Sequence, residues 1–189
     1  MADKTRAFSP TFVGRQEELA RLEALLDAVR GGSKAVVLVA GEAGIGKTRI
    51  IEELARRAGA FEAVVLTGGC VPVGGEVLPY APFVEILGDL VRERGVAEVL
   101  ELAGPTGDEL ARLVPVLAIG GAPPPYSRAS AGKLYQALMS LISGLARRRP
   151  VIFVVEDLHW ADQSTRDLLT LLTSHLRGRV LALLSFRTD

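Results

Sequence analysis

The sequence predicts an α/β fold: a parallel sheet with helices packed on both faces. Three observations lead there. Four short apolar runs, "KAVVLVAG" (34–41), "EAVVLTG" (62–68), "VIFVV" (151–155) and "RVLALLSF" (179–186), lack the in-out alternation of a half-exposed strand. Segments with apolar residues at helical spacing separate them. The first run also opens directly into a glycine-rich turn and then a helix, the arrangement of a strand followed by a crossover.

Each element follows from its residues. From Gln16 to Arg30, Leu19, Leu22, Leu26 and Val29 share one helical face, and Gly31-Gly32 stops it. "KAVVLVAG" reads as a buried parallel strand. The helix after "GEAGIGKT" turns Ile50, Ile51, Leu54, Ala55 and Ala58 inward, with Glu52/Arg56 and Glu53/Arg57 as i,i+4 pairs on its wet side. "GCVPVGGEVLPYAP" is a loop by its glycines and prolines. An excursion over about 82–148 carries helical patterns at 82–94, 96–103, 107–119 and 130–148. It is broken by a proline-rich loop at about 120–129, expected to be mobile. Ser164 is positioned to cap a helix over "TRDLLTLLTSHL", and Asp162 stands at the same helix start. The domain layout expected is a flexible tail, 1–11, and one compact core, 12–189.

Composition narrows the function classes. The 189 residues are 49% hydrophobic and 23% charged, and 22 basic side chains balance 22 acidic ones. A net charge of zero removes the electrostatic basis for non-specific nucleic-acid or membrane binding. The apolar runs are too short to span a bilayer, and the N-terminus has no signal-peptide core, so a cytoplasmic location is expected. Cys70, the single cysteine, excludes an internal disulfide and reads as a structural thiol. Arg147-Arg148-Arg149 is a solvated helix end whose cations suit the helix dipole. His159 and His175 are too far apart in sequence to suggest a metal site.

"GEAGIGKT", Gly41 to Thr48, satisfies GxxxxGK[ST] between a strand and an amphipathic helix. Glycines let such a loop wrap so that backbone N–H groups converge, and the helix N-terminus adds the positive end of its dipole. Gly41, Gly44, Ile45, Gly46, Lys47, Thr48 and Arg49 are therefore candidates for binding ATP or ADP. Lys47 would meet the β- and γ-phosphates and the Thr48 hydroxyl Mg²⁺. "AGK" at 131–133 has neither the strand nor the glycines. In "VIFVVEDLHWAD", a run too apolar for an isolated charge delivers Glu156 and Asp157 to a strand end. Mg²⁺ and Lys47 supply the missing cations, one acid serving the metal shell and the other the attacking water. Asp162 reads as a helix-start residue.

Taken together, "FVGRQEEL", "GEAGIGKTR", "LPYAPFVEIL", "FVVEDLHWADQSTRDLL" and "LALLSFR" resemble STAND-type AAA+ ATPases in content and order. The likeness is to ATPase modules of large bacterial regulators, LuxR-type (MalT-like) activators and adenylyl-cyclase fusions among them. It implies a P-loop NTPase fold with strands in the order 62–68, 151–155, 179–186, 34–40. It also implies Phe12, Val13 and Gly14 at the adenine edge and Arg15 as a structural or nucleotide-proximal cation. Glu156 would be the Mg²⁺-associated acid, Asp157 the water-activating acid, and Arg187 the γ-phosphate sensor.

Glu156 stands where an Asp is usual, which leaves the metal and base roles exchangeable. Ser185 stands for the usual Thr. The sequence ends before the fifth strand and lid of such proteins, so the phosphate-loop strand is expected to be an exposed edge open to self-association. The function implied is a nucleotide switch, slowly hydrolysing ATP, in a signal-transducing and transcriptional regulator. Its partners would be nucleotide and the remainder of a longer chain, namely a lid, helical repeats and an output domain. A non-hydrolysing interaction module and a DNA-associated initiator-type protein are the alternatives. Against the latter stands the absence of a basic stripe.

Overall fold

The computed structural model describes residues 14–72, 77–118 and 128–189. Four parallel strands form one sheet: β1 (Lys34–Ala40), β2 (Val64–Gly69), β3 (Val151–Glu156) and β4 (Val180–Phe186). Their order is β1-β4-β3-β2, the order expected above, with the last strand between the two motif strands. The helices are α1 (Gln16–Arg30), α2 (Lys47–Gly59), α3 (Ala81–Arg94), α4 (Val96–Ala103), α5 (Arg128–Arg148) and α6 (Gln163–His175). This is a P-loop NTPase-type α/β fold.

The central strands explain why the sheet reads as continuous apolar runs. Alternate residues point to opposite faces, and both faces are covered. Ile152, Val154, Leu181 and Leu183 pack with Leu19, Leu22, Leu26 and Val29 of α1 and with Ile50, Ile51 and Leu54 of α2. Val151, Phe153, Val155, Ala182 and Leu184 face the second core with α3 to α6. There Phe83 stacks on Phe153 with ring centroids 6.2 Å apart. Gly68 is what lets α3 approach β2, since a Cβ there would lie 2.2 Å from the Pro82 carbonyl oxygen.

β1 departs from the expectation of full burial. It is an edge strand in which Val36 and Leu38 are 43% and 62% exposed, because α1 and α2 cover only the face bearing Ala35, Val37 and Val39. The edge foreseen from the family likeness is thus present among the described residues. The region expected to be helical over 107–119 is instead a pair of 3₁₀ segments, Gly104–Arg112 and Pro115–Leu117. Pro105 and Pro115 lack the N–H that an α-helix interior needs, and a Cβ on Gly107 would lie 3.3 Å from the Leu100 carbonyl oxygen. Residues 119–127 lie outside the described residues, as do the expected tail 1–11, Phe12 and Val13.

Two smaller expectations are revised. Asp162, rather than Ser164, caps α6, accepting from the Ser164 and Thr165 N–H groups at 2.9 and 3.2 Å. Arg56 pairs with Glu53 at 2.7 Å instead of with Glu52, and Arg57 holds both Glu53 and Glu23, fastening α2 to α1. The arginine triplet is exposed at the end of α5, as expected, and Arg148 in addition bonds Glu98 at 3.0 Å, tying α5 to α4. "AGK" at 131–133 lies within α5, with Lys133 3.8 Å from Glu109. No helix among the described residues is long and apolar enough to cross a membrane.

Candidate functional site

β1 ends at Ala40, and the loop Gly41–Gly46 carries the chain into the first turn of α2. Gly44 and Gly46 have φ of 73° and 94°, the left-handed region that side chains with a Cβ rarely enter. That turn lets the loop wrap back over its own helix N-terminus. Lys47, at the first position of α2, is 8% exposed. Its ammonium donates to the Gly41 and Glu42 carbonyls at 2.7 and 2.8 Å. A buried cation is thereby held at the loop by carbonyl oxygens.

The loop opens on a cavity of about 330 Å³ lined by Ala43, Gly44, Gly46, Lys47, Thr48, Arg49, Glu52, Asp157 and Arg187. Gly44, Gly46, Lys47, Thr48, Arg49, Asp157 and Arg187 were all candidates, and the fold brings them to one wall. Parallel pairing explains the convergence. The C-terminal ends of β1, β3 and β4 lie side by side, so residues more than a hundred positions apart in sequence meet at one edge of the sheet.

Glu156 sits behind this wall. The Thr48 hydroxyl donates to its carboxylate, while Oε1 is buried without a hydrogen-bond partner. Burial pushes its carboxyl above the ordinary range; the Thr48 hydrogen bond opposes this, and the nearby charges of Asp157, Glu52 and Glu85 add to it. Asp157 is more open, its side chain 40% exposed, and its backbone is left-handed at φ 57°.

Ile45 does not line the cavity and is 47% exposed. Arg15 lies elsewhere, in a larger, mostly apolar cleft of about 500 Å³ along β1 with Leu22, Leu25, Leu38 and Ile50. Gly14 and Arg15, both at positive φ, form the entry turn of α1. The larger cleft is lined by Glu18, Arg15 and Arg21 beside apolar side chains, whereas the glycine-rich loop, Lys47 and Asp157 border the smaller cavity. Cys70 is 2% exposed, and burial pushes its thiol up to about 11, with Asp157 and Asp162 adding to the rise. A thiol so placed is a poor nucleophile.

Two neighbours escaped the sequence reading. Glu85 of α3 accepts the Gly69 N–H at 2.8 Å, bringing a further acid to the strand ends beside Glu156. His159 packs on Trp160, and its Nδ1 also lies 3.9 Å from Asp157. Neither has a spacing signal, because each reaches the site through tertiary packing.

The donors fit a magnesium nucleotide. A hydroxyl and a carboxylate oxygen with no partner suit a hard cation, and a lysine over a glycine-rich loop suits phosphate. A family model described as "AAA ATPase domain" matches residues 11–184. An uncharacterized protein of Rhizobium meliloti (strain 1021) is 31% identical over 180 residues, covering 83% of this chain and 16% of that protein. The chain thus spans a small part of the curated relative it resembles. With the match running from ahead of α1 into β4, and with the phosphate-loop geometry in place, this chain belongs to the AAA ATPase domain family.

Proposed function

We propose that the chain binds ATP with Mg²⁺, hydrolyses it slowly, and serves as the nucleotide switch of a longer STAND-type signalling regulator. The observation that carries the reading is the single cavity shared by Lys47, Thr48, Asp157 and Arg187, with Glu156 joined to Thr48 behind it. Lys47 would exchange its two carbonyl acceptors for phosphate oxygens. Thr48 and Glu156 would hold Mg²⁺, which when bound offsets charge on those oxygens. The openness of Asp157 and the burial of Glu156 favour Asp157 for orienting and deprotonating water, and Glu156 for the metal shell. Arg187 would read the γ-phosphate, giving ATP and ADP different contacts and so a population shift between states. Gly14, Arg15 and Val13 would border the adenine, a role that rests on the family likeness.

The likeness to LuxR-type and cyclase-fused regulators supports an output in transcription or second-messenger signalling, and a cytoplasmic setting. The exposed β1 edge supports contact with the remainder of a longer chain or with a second copy. Titration with labelled ATP tests the reading. Binding should require Mg²⁺ for full affinity and weaken at least about tenfold in Lys47→Ala, a loss of about 1.4 kcal/mol; equal binding by the two proteins refutes it. Turnover that vanishes in Asp157→Asn separates hydrolysis from a nucleotide held only as a structural ligand.

A further inference from the structure

Asp157 occupies a backbone conformation that needs help. Its φ and ψ are 57° and 44°, a left-handed region that Asp tolerates better than most residues but still enters at a cost. On one side the turn is closed by the Trp160 N–H donating to the Asp157 carbonyl at 2.9 Å. The other side has no strand partner, because the pairing of β3 with β4 ends at Val155 and Leu184. There the Asp157 N–H donates to the Ser185 hydroxyl at 3.2 Å.

Ser185 is well placed to hold it. It is 2% exposed, so its hydroxyl is shielded from competing water. Its backbone belongs to the pairing of β4 with β1, opposite Val39, one residue before the phosphate loop strand ends. Two positions further on, Arg187 lines the same cavity as Asp157. The end of β4 and the residue after it therefore reach the cavity twice, directly through Arg187 and indirectly through the backbone of Asp157.

We propose that Ser185 is a positioning residue for hydrolysis: its hydroxyl holds the left-handed Asp157 backbone that sets the carboxylate at the wall of the phosphate cavity. The inference rests on the hydrolytic reading above and adds a residue that acts through Asp157 without touching nucleotide. A hydroxyl is what the contact requires. Alanine removes the acceptor of the part-buried Asp157 N–H, whereas threonine keeps it.

Ser185→Ala and Ser185→Thr, made in the chain described, test this with four measurements: labelled-ATP affinity, single-turnover rate, thermal midpoint, and hydrogen exchange of the Asp157 amide without nucleotide. In Ser185→Ala, affinity should stay within about twofold while turnover falls and Asp157 exchange rises, each roughly tenfold. Ser185→Thr should restore both. Unchanged Asp157 exchange in Ser185→Ala overturns the inference, as does a threonine variant that fails like alanine. So does a loss of affinity and thermal stability in step with turnover, the mark of a merely structural residue. If the wild-type protein binds ATP without turnover, the hydrolytic reading fails by itself. The exchange measurement then decides the Ser185 contact alone.

Discussion

Glu156 is where burial and charge conflict most directly. Its Oε1 is enclosed without a partner, and desolvation raises its carboxyl above the ordinary range. A raised carboxyl favours the protonated folded state, so its contribution to stability falls as pH climbs from the ordinary Glu value through the folded one. Glu156→Gln should therefore raise the thermal midpoint of the nucleotide-free protein at neutral pH while weakening Mg²⁺-dependent binding; scanning calorimetry and metal titration measure the two effects. Asp162 shows the opposite sign. Burial works against its charge, but hydrogen bonds from Thr165, Ser164 and Tyr80 hold its carboxyl below the usual range. That stability is present above the ordinary Asp value and is lost as pH falls through the depressed one. Asp162→Ala should cost about 1–2 kcal/mol at pH 7 by denaturant unfolding, and less in acid. The motif residues were legible from spacing alone, because a phosphate loop is local. Glu85 and His159 were not, because nothing in their sequence neighbourhoods marks where α3 and the turn after β3 pack.

At the scale of elements, β3 and β4 were the most readable parts of the chain. Burial on both faces demands apolar side chains at every position, and the runs "VIFVV" and "VLALL" record that demand. Phe153→Ala removes a ring that is 1% exposed and stacked on Phe83. It should cost about 3–5 kcal/mol in equilibrium unfolding. Gly68→Ala should cost about 1–3 kcal/mol, since its Cβ would press on the backbone of Pro82 and lift α3 from β2; a Tm shift reports it. The stretch 104–117 misled because its apolar spacing is helical while its prolines and glycines favour tighter turns. Periodicity records which residues face the core, and a 3₁₀ segment packed on α5 buries Leu110 and Ala111 as a helix would.

For the molecule as a whole, the asymmetry of the sheet is the main feature. α1 and α2 cover one face from edge to edge, whereas the helices on the other face cover β2, β3 and β4 and leave Val36 and Leu38 of β1 open. Leu38→Lys should change unfolding stability by no more than about 0.5 kcal/mol, as for other exposed sites. It should also suppress any concentration-dependent association at this edge, measured by sedimentation. What the sequence determined by itself was whatever depends on near neighbours: the helix faces, the strand interiors, the glycine-rich loop with Lys47 and Thr48, and the acids at a strand end. Motif order, read through the family likeness, also anticipated the strand order. Only the tertiary structure decided which acid lies buried against Thr48 and which faces the cavity, that Ser185 holds the turn at Asp157, and that Arg15 stands apart from the phosphate loop. The physical reason is range. Backbone preference and apolar periodicity act over a few residues, whereas burial, orphaned oxygens and contacts between strand ends arise only when distant segments pack together.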